Sequence, residues 1–212
     1  MRLHAYFRSS TSYRLRIALN LKGLDYAIEP VNLLKDEQRG DAYRARNPFA
    51  GVPMLEADGR DRAQSLAILE WLDEAYPDRP LLPREIEDRF TARELAYAIA
   101  TELHAVNNLP TLQYLKNELG HSQDEIDTWY RHWLARRLPP VEARCAQLGT
   151  GDFLFAAPGM FEAVLIPQMY NARRFAFDFA DMPHLERIEA ACLALSAFQR
   201  AHPDNQPDTP SP

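Results

Sequence analysis

The segment "PDRPLLPRE", Pro77 to Glu85, divides this sequence into two parts with different periodicities. Each proline fixes φ and removes a backbone donor, so three in nine residues interrupt any helix or strand. Before the break, short apolar runs alternate with helical ones. After it, apolar positions recur almost throughout at helical spacing. The predicted fold class is therefore α/β followed by all-α, in a chain of 212 residues that is long enough to bury a core in each part.

The first part resolves further. Leu3–Phe7 reads as a strand and Ser10–Lys22 as a helix, with Ile17, Ala18 and Leu21 on one face and Gly23 as its stop. Tyr26–Val31 reads as a second strand, and Pro30 confines it to a sheet edge. Asp36–Arg46 is a polar helix candidate. Val52–Glu56 and Arg60–Ala63 form a hairpin around Asp58-Gly59, and Ser65–Tyr76 is a strongly patterned helix. The order βαβ-αββα fits a thioredoxin-like layer. The predicted partition is 1–82 for this domain and 83–212 for an all-helical domain, with helices near 86–108, 111–119, 122–147, 160–176 and 183–200. The polar, proline-rich tail "HPDNQPDTPSP" is expected on the surface.

A net charge of −6 argues against a general nucleic-acid or anionic-membrane binder. Cys145 and Cys192 are far apart and lack CxxC spacing, so neither a disulfide framework nor a cysteine-based metal site is expected. No secretory pattern opens the chain and no apolar run reaches about 18 residues. These features predict a soluble, cytoplasmic protein.

Three places in the first domain suggest one ligand. Ser9, Ser10 and Thr11 gather at a helix N-terminus, where backbone N–H groups and the helix dipole favour an anion such as a thiolate. Val52-Pro53 precedes a strand; a cis bond there would turn the Val52 main chain toward an added, peptide-like strand. Gln64-Ser65 opens a helix and suits a carboxylate. Each is also compatible with ordinary capping or an ordinary trans proline. Taken together they describe a site for a thiol-bearing, carboxylate-bearing, peptide-like molecule, and glutathione has that composition.

The stretch "RSSTSYRLRIALNLKGLDY" resembles the zeta-class glutathione transferase signature SSCSxRVRIALxLKGxxY. The likeness continues through "PVNLLKDEQ", "NPFAGVPMLEADG", "QSLAILEWLDEAYP", "HAVNNLPTLQYL", "IPQMYNARRF" and "HPDNQPDTP". The resemblance implies a thioredoxin-like glutathione-binding domain, a helical substrate-binding domain and a homodimer. It implies glutathione-dependent cis–trans isomerisation of a maleyl dicarboxylate, maleylacetoacetate or maleylpyruvate, in the breakdown of aromatic compounds. By motif position, the catalytic serine falls on Ser9 beside Ser10 and Thr11. Glutathione contacts fall on Gln38, Val52, Gln64, Ser65, His104 and Asn108, and Arg8 and Arg174 match positions that hold substrate carboxylates. Of Arg173 and Arg174, one is expected in a structural ion pair. A transferase or dehalogenase acting on small α-halo acids would use the same groups. A non-enzymatic glutathione binder is a third reading, which intact Ser9, Gln64 and Ser65 disfavour.

The chain also departs from the family pattern. Thr11 replaces the usual cysteine, keeping a donor but no thiol. Leu109-Pro110 replaces residues that are arginine in many relatives. Gly159 and Glu162 stand where a Ser/Thr…Asp capping box is usual, for which a modest loss of stability is expected.

Overall fold

The computed structural model describes residues 1–210; Ser211 and Pro212, the end of the tail, lie outside the described residues. The chain forms two compact units, Met1–Leu82 with Leu193–Pro212, and Pro83–Cys192. The helical part expected at 83–212 therefore ends at 192, and the C-terminal segment groups with the first unit instead.

The first unit is built on a four-stranded sheet of order β2-β1-β3-β4. Strand β1 (Arg2–Ala5) pairs in parallel with β2 (Ala27–Pro30) and antiparallel with β3 (Met54–Ala57), which turns into β4 (Arg60–Ala63). Pro30 lies on the edge strand, where its missing N–H interrupts no ladder. Helix α1 (Ser10–Lys22) makes the β1–β2 crossover. It ends at Gly23, in the left-handed region at φ 67, and a Cβ there would lie 2.5 Å from Arg79 Nη1. The left-handed backbone selects glycine, whereas the flexible Arg79 tip could move aside. The polar segment expected as one helix over Asp36–Arg46 instead holds 3₁₀ turns at Leu33–Lys35 and Glu37–Arg39 before α2 (Asp41–Arg46). Asp36, at φ 56, breaks the helical path. Helix α3 spans Ser65–Ala75.

Helix α1 is buried well beyond the face that carries Ile17 and Ala18. Arg14 and Arg16, which interrupt its apolar run, are 2% and 0% exposed. The reason is the C-terminal segment. Arg16 donates from Nε to the Ala201 carbonyl and from Nη2 to the Phe7 carbonyl, each at 2.8 Å. Asn20 Nδ2 donates to the Ala197 carbonyl, and Phe7 N–H donates to Asp208 Oδ2, also at 2.8 Å. Phe198, Ala201 and Pro203 are buried as a result. The helix expected at 183–200 splits into α9 (Pro183–Leu193) and α10 (Ser196–Ala201), and α10 is the layer over α1. Of the described tail, expected on the surface, only Pro203 and Gln206 are buried and the rest is half-buried or exposed.

The second unit runs α4 (Ile86–Tyr97), a π-helical turn (Ala98–Leu103), α5 (His104–Asn107), α6 (Leu109–Asn117), α7 (Gln123–Leu148), α8 (Met160–Arg174) and α9 up to Cys192. Helix α8 is its core: every residue from Met160 to Met169 is buried. Buried carboxylates pin the helix starts. Glu162 accepts from the Leu154 and Gly159 N–H groups at 2.7 and 2.8 Å, so Gly159 needs no side chain to hold the start of α8. Glu142 of α7 accepts from the N–H groups of His184 (3.1 Å) and Leu185 (2.9 Å) at the start of α9. Pro110 occupies the first turn of α6, where a missing N–H leaves no helical bond unmade. Among the described residues, no helix is long and apolar enough to cross a membrane.

Candidate functional site

Three of the four hydroxyls around the start of α1 have defined hydrogen bonds. Ser9 is the N-cap: its backbone is extended and its Oγ accepts from Ser12 N–H at 3.2 Å. Ser12 is fully buried, and its Oγ accepts from Tyr6 N–H at 3.4 Å. Ser10 is also buried. Thr11 Oγ1 donates to the Val52 carbonyl at 2.8 Å and lies 2.9 Å from Ser9 Oγ. A carbonyl only accepts, so the single Thr11 proton lies on Val52. Ser9 is then the donor to Thr11. The result is a directed chain, Ser12 N–H to Ser9 to Thr11 to Val52, in which Ser9 is half-buried and holds a proton that bond rotation can redirect.

The Val52–Pro53 bond is cis. Strand β3 begins only after Pro53, which has no N–H to give the ladder. The Val52 carbonyl is already engaged by Thr11, and its second lone pair is the acceptor it retains for a ligand amide.

At the start of α3, Gln64 adopts φ 71 and ψ 104. That conformation costs a non-glycine residue about 1–3 kcal/mol and is typical of ligand-holding positions. No side chain caps this helix, and its first turn has no acidic residue. The first helical bond is Ile68 N–H to the Gln64 carbonyl, so the N–H groups of residues 65–67 have no intrahelical acceptor. Ser65 Oγ accepts from Arg14 Nη1 at 3.2 Å. Gln38 is buried; its Nε2 donates to Asp36 Oδ1 at 3.2 Å and its Oε1 has no partner among the described residues. Arg8 is half-buried, with its guanidinium 5.7 Å from the centre of the Phe7 ring.

The remaining predicted residues lie in the helical unit. His104 opens α5 directly after the π-helical turn, a local irregularity frequent at functional sites. Asn108 caps α6, with Oδ1 accepting from Thr111 N–H (3.0 Å) and Oγ1 (2.9 Å). Arg173 and Arg174 separate as expected. Arg173 grips Glu189 through Nε at 2.9 and 3.1 Å and also through Nη2. Arg174 is exposed, and its Nη1 donates to Asn171 Oδ1 at 3.1 Å. Beside it, Tyr130 stacks on Phe175 with ring centres 3.7 Å apart, and burial pushes the Tyr130 phenol up to about 12. Burial likewise raises both cysteine thiols, that of Cys145 to about 12, so neither supplies a thiolate at neutral pH.

Arg14 and Tyr130 went unselected at the level of sequence. An arginine two residues after a hydroxyl cluster, inside an apolar helical period, was the available signal for the first. Nothing in the local sequence of α7 marks the second.

Known proteins are similar to this chain along its whole length. The family model for the glutathione S-transferase N-terminal domain matches residues 8–75. The chain is similar to maleylacetoacetate isomerase from Pseudomonas aeruginosa, 40% identical over the full length of both proteins. A holo structure of maleyl pyruvate isomerase, described as a zeta-class bacterial glutathione S-transferase, superposes with a TM-score of 0.96 at 39% identity, covering 99% of this chain and 100% of that one. Maleylacetoacetate isomerase from Anaeromyxobacter dehalogenans, solved with dicarboxyethyl glutathione and citrate in its active site, superposes with a TM-score of 0.87 at 41% identity, covering 99% of this chain and 97% of that one. The chain belongs to the zeta-class glutathione transferases, the family of the maleylacetoacetate and maleylpyruvate isomerases.

Proposed function

We propose that the chain catalyses glutathione-dependent cis–trans isomerisation of a maleyl dicarboxylate, maleylpyruvate or maleylacetoacetate, in aromatic-compound degradation. The observation that carries this reading is the Ser9 hydroxyl, held by Ser12 N–H and aimed as a donor into a rotatable hydroxyl chain. The residues fit glutathione: a hydroxyl donor for sulfur, the Val52 carbonyl just ahead of β3 for the peptide, and N–H donors without intrahelical acceptors at the start of α3 for a carboxylate. When bound, glutathione supplies the thiolate whose reversible addition to the conjugated double bond permits rotation. Ser9 donates to that sulfur and lowers its basicity; Thr11 keeps Val52 oriented while Ser9 exchanges acceptors. Arg8 and Arg174 are assigned to substrate carboxylates or to the oxygen on which charge develops, roles suited to a planar, permanently charged fork. His104 and Asn108 are assigned to the glycyl end of the tripeptide.

The direct test is conversion of maleylpyruvate and of maleylacetoacetate with and without glutathione. Turnover of either that depends on glutathione is expected, and no turnover of both overturns the reading. Accumulation of a stable conjugate, or halide release from an α-halo acid, would move the activity to the transferase or dehalogenase class.

Thr11→Val is expected to lower kcat about tenfold, because it removes the acceptor that aligns Ser9 and the donor that fixes Val52. Thr11→Ser keeps both and should stay within about twofold of wild type. Steady-state kinetics at saturating glutathione distinguishes them.

The reading extends to a cytoplasmic homodimer. Both cysteines are free and buried, as suits a reducing compartment. Ile86 and Phe90, 79% and 59% exposed one helical turn apart on α4, form an apolar strip that a second copy would cover. Ile86→Asp with Phe90→Asp should convert a dimer to a monomer in light scattering; an unchanged mass would remove α4 from the interface.

A further inference from the structure

Arg14 presents an unusual electrostatic situation. Its guanidinium is 2% exposed, five residues into α1. Among the described residues it makes one hydrogen bond, from Nη1 to Ser65 Oγ at 3.2 Å, while Nε and Nη2 are buried without hydrogen-bond partners. Burial pushes its pKa down to about 10, which still leaves it charged at neutral pH, and no neighbouring carboxylate opposes that shift. A buried cation without a counter-ion is strongly unfavourable. The protein carries net charge −6 and yet supplies no anion here.

Among the described residues, the one hydrogen-bond acceptor of the Arg14 guanidinium is the hydroxyl at the first position of α3. Because Ser65 Oγ accepts from Arg14, its own proton is free to be donated outward. Ser65 stands at the helix end where three N–H groups lack intrahelical acceptors and no acidic side chain sits in the first turn. The dipole of α3, the Ser65 proton and the Arg14 charge therefore act in one direction.

We infer that Arg14 is a positioning residue whose buried charge, relayed through Ser65, is matched by the α-carboxylate of the γ-glutamyl group of bound glutathione. The ligand carboxylate is the counter-ion the fold omits. This rests on the glutathione reading above and adds a residue that does not touch the ligand.

The test compares glutathione with 4-aminobutyryl-cysteinylglycine, which is glutathione without that carboxylate. Affinities are measured by calorimetry in wild type, Arg14→Gln, Arg14→Met and Arg14→Lys. Wild type should prefer glutathione by about tenfold to a hundredfold, the range of a charge-assisted hydrogen bond. Both neutral variants should reduce that preference at least tenfold, with affinity for the truncated ligand unchanged. Arg14→Met removes a buried charge and should fold at least as stably as wild type. Arg14→Lys, which keeps the charge, should restore the preference to within about threefold. A preference that survives in the neutral variants overturns the assignment. So does equal loss in Arg14→Lys, or failure of both neutral variants to fold, since each would make the role one of packing. Wild type that binds neither ligand would instead overturn the glutathione reading, and this inference with it.

Discussion

Ser9→Ala should lower kcat by two decades or more while glutathione remains bound. The magnitude follows from removing one preorganised donor from a site of developing charge, a loss of about a hundredfold to a thousandfold. In this structure the donor's identity is set by geometry. Thr11 has given its proton to Val52, so the Ser9–Thr11 contact carries the Ser9 proton. Ser12 is fully buried beneath the Tyr6 amide. The substitution also removes the N-cap of α1, about 1 kcal/mol of stability, so rates belong well below the melting temperature of the variant. A pH–rate profile separates the two effects. Without the Ser9 donor, the rise of activity with pH should move upward toward the ordinary thiol range, about 8.5. Loss of a cap alone would leave the profile in place. An Ala variant with wild-type kcat would remove Ser9 from the chemistry and leave it as a cap.

Glu142→Ala should destabilise the fold by about 2–4 kcal/mol. Glu142 is 8% exposed, and its two oxygens hold two N–H groups in the first turn of α9 as well as the His184 ring at 2.6 Å. Each buried donor left unpaired costs about 1–3 kcal/mol. The α9 start has no local substitute, since Met182 precedes it and Pro183 opens it, and neither has a capping side chain. For a chain of this size the loss should appear as a melting temperature lower by roughly 5 °C or more. Glu142→Gln keeps an acceptor and the packing, and should recover about half of the loss. A change in midpoint equivalent to less than about 0.5 kcal/mol in the alanine variant would show that water satisfies these donors equally well.

Helix α9 shows why such features were not legible beforehand. Its apolar period is visible in "HLERIEAACL", but its cap comes from position 142, in another helix. Local patterns report which faces are apolar and which residues like to start helices. They do not name the distant group that answers a free N–H. The same limit applies to α1. The hydroxyl cluster and Gly23 marked its two ends, and both marks held. Arg14 and Arg16 break the apolar run of α1, and an isolated guanidinium is almost never fully buried, so nothing local points to their burial. The carbonyls of Phe7 and Ala201 allow it for Arg16.

For this protein, the sequence by itself determined the order of elements: prolines and the change of period at 77–85 separate a mixed sheet from a set of helices. It also determined the chemistry on offer at the start of α1, where Thr11 in place of cysteine leaves sulfur to be brought by a ligand. Tertiary structure alone decided the assignments within that chemistry. It made Ser9 the donor by placing the Val52 carbonyl under Thr11, it brought residues 193–210 back over α1, and it set a buried arginine behind Ser65. The physical reason is common to all three. A proton's direction and a charge's burial depend on groups 41, 185 and 51 positions away in the chain, and periodicity carries no information over such distances.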